Sequence, residues 1–186
     1  MIRKVMLLVL ITMSQFVGKS QDFKLNVILD QEVSCKGNKD GSIQSSCIPD
    51  GNYKYTISRS TFTQTNNSGI FRDLVPGVYK ITATNGKVTK SSKVTVTEPK
   101  VLNVKFVVDK YPSNTEDGIL NVEVSGGTAD LQPYLVTWRN GKGDILNTEN
   151  LFSLSQDNLK PDIYTVTIED DHGCFLTKAY RLAKKK

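Results

Sequence analysis

His172 is the single histidine in 186 residues, and this alone makes most nucleophile–base relays and multi-histidine metal sites hard to assemble. It stands in Glu169-Asp170-Asp171-His172-Gly173, a string of turn formers between two β-like runs. That context suits a solvated hairpin tip, with a pH-sensitive or metal-binding turn as the functional alternative. Glu116, Asp117, Glu169, Asp170 and Asp171 could gather at one end of a domain. Calcium needs six to eight oxygens at roughly 2.3–2.6 Å, and no Asp-x-Asp-x-Asp-Gly loop is present. Phosphate-cradling glycine loops, Cys-x-x-Cys pairs and dinucleotide fingerprints are missing as well. The residues therefore point to no enzyme, no catalytic residue, no metal site and no cofactor. Trp138, the one tryptophan, ends the run Pro133-Tyr134-Leu135-Val136-Thr137-Trp138. It reads either as an exposed aromatic platform for a ligand or, from its alternation with Tyr134 and Val136, as the centre of a sandwich core.

The three cysteines depend on where the protein works. Arg3 and Lys4 precede the apolar run Val5–Met13, and Gly18 and Ser20 stand three and one places before Gln21. A basic start, a short apolar centre and small residues at the exit are the parts of a secretory signal, expected over residues 1–20. The run falls well short of the roughly 20 residues a bilayer core needs, so no transmembrane segment is expected in the mature chain. Export implies a disulfide-permissive compartment at the cell surface, the outer membrane or the periplasm. There, Cys35, Cys47 and Cys174 can form at most one internal bridge. Cys35 and Cys47 enclose a short loop around Gly41 and could face each other across neighbouring strands, which favours Cys35–Cys47 with Cys174 free or intermolecular. Three buried thiols acting as small hydrophobes are the alternative.

The elements that must position these residues are strands. Tyr79, Ile81 and Ala83 alternate with Val78, Lys80 and Thr82; Tyr164, Val166 and Ile168 alternate with Thr165, Thr167 and Glu169; Leu120, Val122 and Val124 alternate with polar residues. Period-two burial of one face accounts for each run. Self-comparison then reveals a duplication. Leu25-Asn26-Val27 recurs as Leu102-Asn103-Val104 and Asp40-Gly41 as Asp117-Gly118, both 77 residues on. Asp73-Leu74-Val75-Pro76-Gly77-Val78-Tyr79 is answered by Asn158-Leu159-Lys160-Pro161-Asp162-Ile163-Tyr164 at an offset of 85, so eight extra residues fall between Gly118 and Leu159. Two β domains are expected, residues 21–98 and 99–186, joined at Thr97-Glu98-Pro99-Lys100 by a fairly stiff link.

Charge offers little by itself. The chain holds 24 Lys and Arg against 19 Asp and Glu, net +5. Removing residues 1–20 takes away three bases and no acid, and Lys184–Lys186 account for three more. The body is left near neutrality, which speaks against nucleic acid as a partner.

Val33-Ser34-Cys35-Lys36-Gly37, Asp40-Gly41, Leu74–Tyr79 and Thr95–Pro99 resemble the SprB-type repeat. In the second copy the resemblance rests on Val124–Thr128, Pro133-Tyr134, Trp138–Gly141, Leu159, Tyr164–Thr167 and Asp171-His172-Gly173-Cys174. Such repeats occur on large cell-surface and gliding adhesins of bacteria that use type nine secretion. The resemblance implies early and late cysteines of one repeat as partners, yet here Pro112 stands where the first copy has Cys35, and the first copy lacks the terminal Gly-Cys. Residues 111–186 also resemble the C-terminal sorting domains of type nine cargo. The expected fold is all-β: two tandem immunoglobulin-like β-sandwiches behind a signal peptide. The expected function is a non-enzymatic protein-interaction module, an accessory subunit of an outer-membrane or cell-surface assembly linked to gliding or type nine secretion. Secreted cargo with a C-terminal sorting signal and a carbohydrate-binding adhesin are the alternatives.

Overall fold

The computed structural model describes residues 22–113, 116–129 and 133–184. The expected export signal at residues 1–20 lies outside them. Among the described residues the regular elements are strands alone, in order β1 (Lys24–Gln31), β2 (Gly41–Ile48), β3 (Lys54–Arg59), β4 (Phe62–Asn66), β5 (Ile70–Leu74), β6 (Gly77–Thr84), β7 (Thr89–Val96), β8 (Lys100–Lys110), β9 (Gly118–Gly127), β10 (Leu135–Arg139), β11 (Ser155–Leu159), β12 (Asp162–Glu169) and β13 (Phe175–Leu182). They form four antiparallel sheets ordered β1-β2-β5, β4-β3-β6-β7, β11-β9-β8 and β10-β12-β13. The first two enclose one core, from Phe23 to Val96, and the other two enclose a second, from Val104 to Leu182.

Alternation places the residues. Tyr79, Ile81 and Ala83 of β6 are buried, as are Tyr164, Val166 and Ile168 of β12. Ile81 sits opposite Ile57 of β3, and Val166 opposite Trp138 of β10. Ile81 and Val166 are 85 residues apart whereas Ile57 and Trp138 are 81 apart. The eight-residue excess of the second copy is thus divided equally, four residues before Trp138 and four after. The second portion lies in the Asn140–Leu154 connection, which replaces β4 with a single bridge between Arg139 and Ile145. Solvated connections absorb added length at small entropic cost.

Two repeated devices lock each copy. The Tyr79 hydroxyl donates to the Val75 carbonyl at 2.8 Å, and the Tyr164 hydroxyl donates to the Lys160 carbonyl at 2.8 Å. Each such bond joins a buried ring to the corner ahead of its own strand. The repeated Asp-Gly is the second device. Asp40 accepts the Ser34 N–H at 3.1 Å, and Asp117 accepts the Ser113 N–H at 2.8 Å, so each aspartate holds the loop preceding its strand. The glycine that follows is needed for space: a Cβ on Gly118 would lie 2.8 Å from the Leu159 carbonyl oxygen, and one on Gly41 would lie 2.7 Å from a Val96 methyl.

Candidate binding site at the junction of the two sandwiches

The joint between the sandwiches is anchored on both sides. After β1, the Val33 N–H donates to the Thr97 carbonyl at 3.0 Å. Glu98 accepts the Gly37 N–H at 3.0 Å and pairs with the Lys36 ammonium. The Lys36 contact, aided by the Gly37 N–H, holds the Glu98 carboxyl below its usual range. Loop 33–37 is itself shaped by Asp40, which takes both the Ser34 N–H and the Ser34 hydroxyl. Those two bonds keep the Asp40 carboxyl low as well, the hydroxyl contributing most.

From the second sandwich, the turn between β12 and β13 reaches the same place. Asp170 organises it from within. Its Oδ1 accepts the N–H groups of His172 at 3.0 Å and Cys174 at 2.9 Å, and its Oδ2 accepts the Thr128 N–H at 2.8 Å. Gly173 occupies the left-handed region at φ 74°, where a side chain would be strained. Asp170 is one of the five acids that could have gathered around a cation; it is instead a 6% exposed clamp for two loops. Among the described residues, no three His, Cys, Asp or Glu side chains are grouped to hold a metal.

These two loops are joined covalently. Cys35 and Cys174 form a disulfide, with Cα atoms 5.7 Å apart. This corrects the expected Cys35–Cys47 bridge. Cys47 is a free thiol, 2% exposed, opposite Leu25 on the inward face of β2. Six residues of extended strand separate it from Gly41, roughly 20 Å, and Cys35 lies beyond that end, outside the core. Cys174 is therefore neither free nor available for an intermolecular bridge. His172 does stand at a turn, exposed, but the turn abuts the other sandwich, and its Nδ1 lies 3.3 Å from the Ser34 carbonyl.

Beside the bridge runs a largely apolar cleft of about 370 Å³, walled by Cys35, Pro99, Val101, Leu102, Cys174 and Phe175. Two of its lining side chains are turned outward: Phe175 is 73% exposed and Val101 62%. Phe175 opens β13 and faces Glu169 across β12, which in turn pairs with exposed Leu135 of β10. The cleft wall thus continues onto the outer face of a sheet. Sequence reasoning did not find this site. The available signal was Phe175 at an outward position of an alternating strand, where Leu176 and Tyr180 pack on the core instead.

Trp138 is not a ligand contact. It is fully buried between the sheets, its indole N–H donates to the Ser153 carbonyl at 3.0 Å, and its ring meets Phe106 edge-on at 6.2 Å. Alternation is consistent with this, since Val136 and Trp138 share the inward face of β10.

No protein-family model matches the chain, and no curated protein matches it. Solved structures do. A structure of three N-terminal domains of the Highly Immunogenic Outer Capsid protein (Hoc) of bacteriophage RB49 superposes with a TM-score of 0.52 at 14% identity, covering 86% of this chain and 58% of that one. The fold is immunoglobulin-like. Two further immunoglobulin-like matches have lower scores. A C-terminal 282-residue fragment of intimin, in complex with the intimin-binding domain of the translocated intimin receptor, gives 0.47 at 14% identity over 87% of this chain and 64% of that chain. The four N-terminal immunoglobulin domains of Dscam1 give 0.35 at 16% identity, over 83% and 42%. The chain spans less than two thirds of each of these structures. Its two immunoglobulin-like sandwiches carry an apolar cleft with exposed hydrophobic lips.

Proposed function

We propose that this chain is an exported, non-enzymatic protein-interaction module, an accessory subunit of an outer-membrane or cell-surface assembly linked to gliding or type nine secretion. The observation that carries the interaction reading is the Cys35–Cys174 bridge beside the cleft that ends in Phe175. A covalent tie between two separate cores presents one fixed binding surface, and a preorganised surface loses less entropy when a partner docks. An exposed aromatic next to an apolar cleft is the kind of anchor that dominates protein association. The disulfide also supports export, because such bonds persist in oxidising compartments. The link to gliding or type nine secretion rests on the SprB-type repeat resemblance. No helix among the described residues is long and apolar enough to cross a membrane. The bridge weighs against the sorting-signal alternative: cleavage after about Glu98 would leave the second sandwich tethered to the first.

Cross-linking in intact cells followed by purification tests the proposal. The wild type should bring down a large surface complex, and Phe175→Ser should lose it while remaining folded. Recovery of free monomer from wild-type cells would overturn the reading.

A further inference from the structure

The near-neutral charge of the body hides a strong segregation. Between Gly51 and Thr97 the sequence has seven bases (Lys54, Arg59, Arg72, Lys80, Lys87, Lys90 and Lys93) and one acid, Asp73. The structure places that acid in β5, in the opposite sheet. The four strands of the β4-β3-β6-β7 sheet contain no Asp or Glu at all. The nearest acid in sequence to this sheet's β3, Asp50, belongs to the connection ahead of the strand.

The outward face of this sheet is laid out in rungs. Thr65, Thr56, Thr82 and Ser91 lie side by side across all four strands. The next rung is Thr63, Ser58, Lys80 and Lys93, and on the other side Lys54, Thr84 and Thr89 follow. The aromatics of these strands belong to the opposite face: Tyr55 and Tyr79 are buried, and Phe62, 44% exposed, alternates with outward Thr63 and sets its ring 6.3 Å from Tyr79. Arg59 is occupied over the Tyr79 ring, and Lys90 pairs with Asp22. Lys54, Lys80 and Lys93 remain exposed on the hydroxyl-covered face. Lys80 and Lys93 are direct cross-strand neighbours, an arrangement that destabilises a sheet when nothing neutralises it.

We infer that this face binds an acidic polysaccharide. Three lysines supply charge for carboxylate or sulfate groups, and the rows of hydroxyls supply donors and acceptors for sugar hydroxyls. A chain of anionic sugars running across the strands would relieve the repulsion between Lys80 and Lys93. Neutral glycans and single-stranded nucleic acids are gripped by stacking on exposed rings, which this face does not offer. A four-stranded face is also too wide to enter the major groove of a duplex. The corresponding face of the second sandwich has diverged: it carries Leu135, Ile163 and Phe175 outward and includes Glu169. That second face keeps hydroxyls, Thr137, Thr167 and Thr177 lying side by side across its strands, but sets them among exposed apolar side chains and an acid, and the inference here is independent of the protein contact at Phe175.

The experiment is a binding titration of the oxidised chain with polygalacturonate for carboxylates, heparin for sulfates, and dextran and single-stranded DNA as controls. Binding to at least one acidic polysaccharide is expected, weakening as salt rises, with none to dextran. Lys80→Gln/Lys93→Gln should bind about tenfold more weakly, whereas Phe175→Ser should bind as the wild type does. The exposed pair Lys24→Gln/Lys142→Gln, with the same loss of charge, should also leave binding intact. Failure to bind either polysaccharide, an equal loss in both double variants, or tighter binding to single-stranded DNA would overturn the inference.

Discussion

Cys35 and Cys174 are 139 positions apart in sequence and directly bonded, one in the β1–β2 loop of the first sandwich and the other in the β12–β13 turn of the second. The bond closes a ring of chain through both cores. Thiol counting checks it: alkylation of the denatured, unreduced protein should label one cysteine, Cys47, and reduction should raise the count to three. In Cys174→Ser, small-angle scattering should report a broader range of distances between the sandwiches, with the circular dichroism of β structure retained, because each sandwich keeps its own core.

Asp170 holds the second cysteine in place through bonds to three backbone N–H groups. Asp170→Ala leaves all three donors without that acceptor in a poorly solvated site, a loss on the order of 3 kcal/mol. Urea unfolding followed by Trp138 fluorescence should show it, and re-oxidation of the reduced variant should form the Cys35–Cys174 bridge more slowly.

Trp138 should emit to the blue and resist aqueous quenchers, since none of its surface is exposed. Truncation to alanine removes the ring that fills the second core and should cost about 3–5 kcal/mol. The first sandwich of that variant should unfold at its ordinary denaturant concentration.

Tyr79→Phe and Tyr164→Phe each remove a hydroxyl that bonds a corner carbonyl at 2.8 Å. Each should lower the stability of its own sandwich by about 1 kcal/mol. The two losses should add, because the rings lie in separate cores; denaturant unfolding of the double variant checks this.

Asp117 gives the molecule an acid-sensitive clasp. The Ser113 N–H first, and then the Lys110 ammonium, lower its carboxyl from 3.8 to about 2. A carboxylate whose folded pKa is depressed stabilises fully above its unfolded value and loses that contribution as pH falls through the folded one. The contribution should therefore fade from about pH 4 to about pH 2. Carbon-detected titration of the Asp117 carboxyl should place its midpoint near 2, and Asp117→Asn should flatten stability across that interval.

Much of this molecule can be read from the order of its residues. Strands follow from alternation, since a side chain two positions on returns to the same face, and Tyr79, Ile81 and Ala83 are buried for that reason. The repeated Asp-Gly and the repeated tyrosine corners carry their purpose locally, since each aspartate and each tyrosine bonds within six residues of itself. The acid-poor stretch from Gly51 to Thr97 was equally visible, but net charge averaged it away, and only strand pairing put Lys80 beside Lys93. The burial of Trp138 lay between these cases: alternation allowed it, and the packing of Phe106 and the Ser153 carbonyl decided it. The cysteine pairing was beyond reach. Sequence distance measures position along the chain, and Cys35 meets Cys174 because the Thr97–Lys100 joint brings two loop ends together. Composition and periodicity determined two duplicated sandwiches; the arrangement of one against the other, and with it the bridge and the cleft, arose from contacts between residues that no local pattern connects.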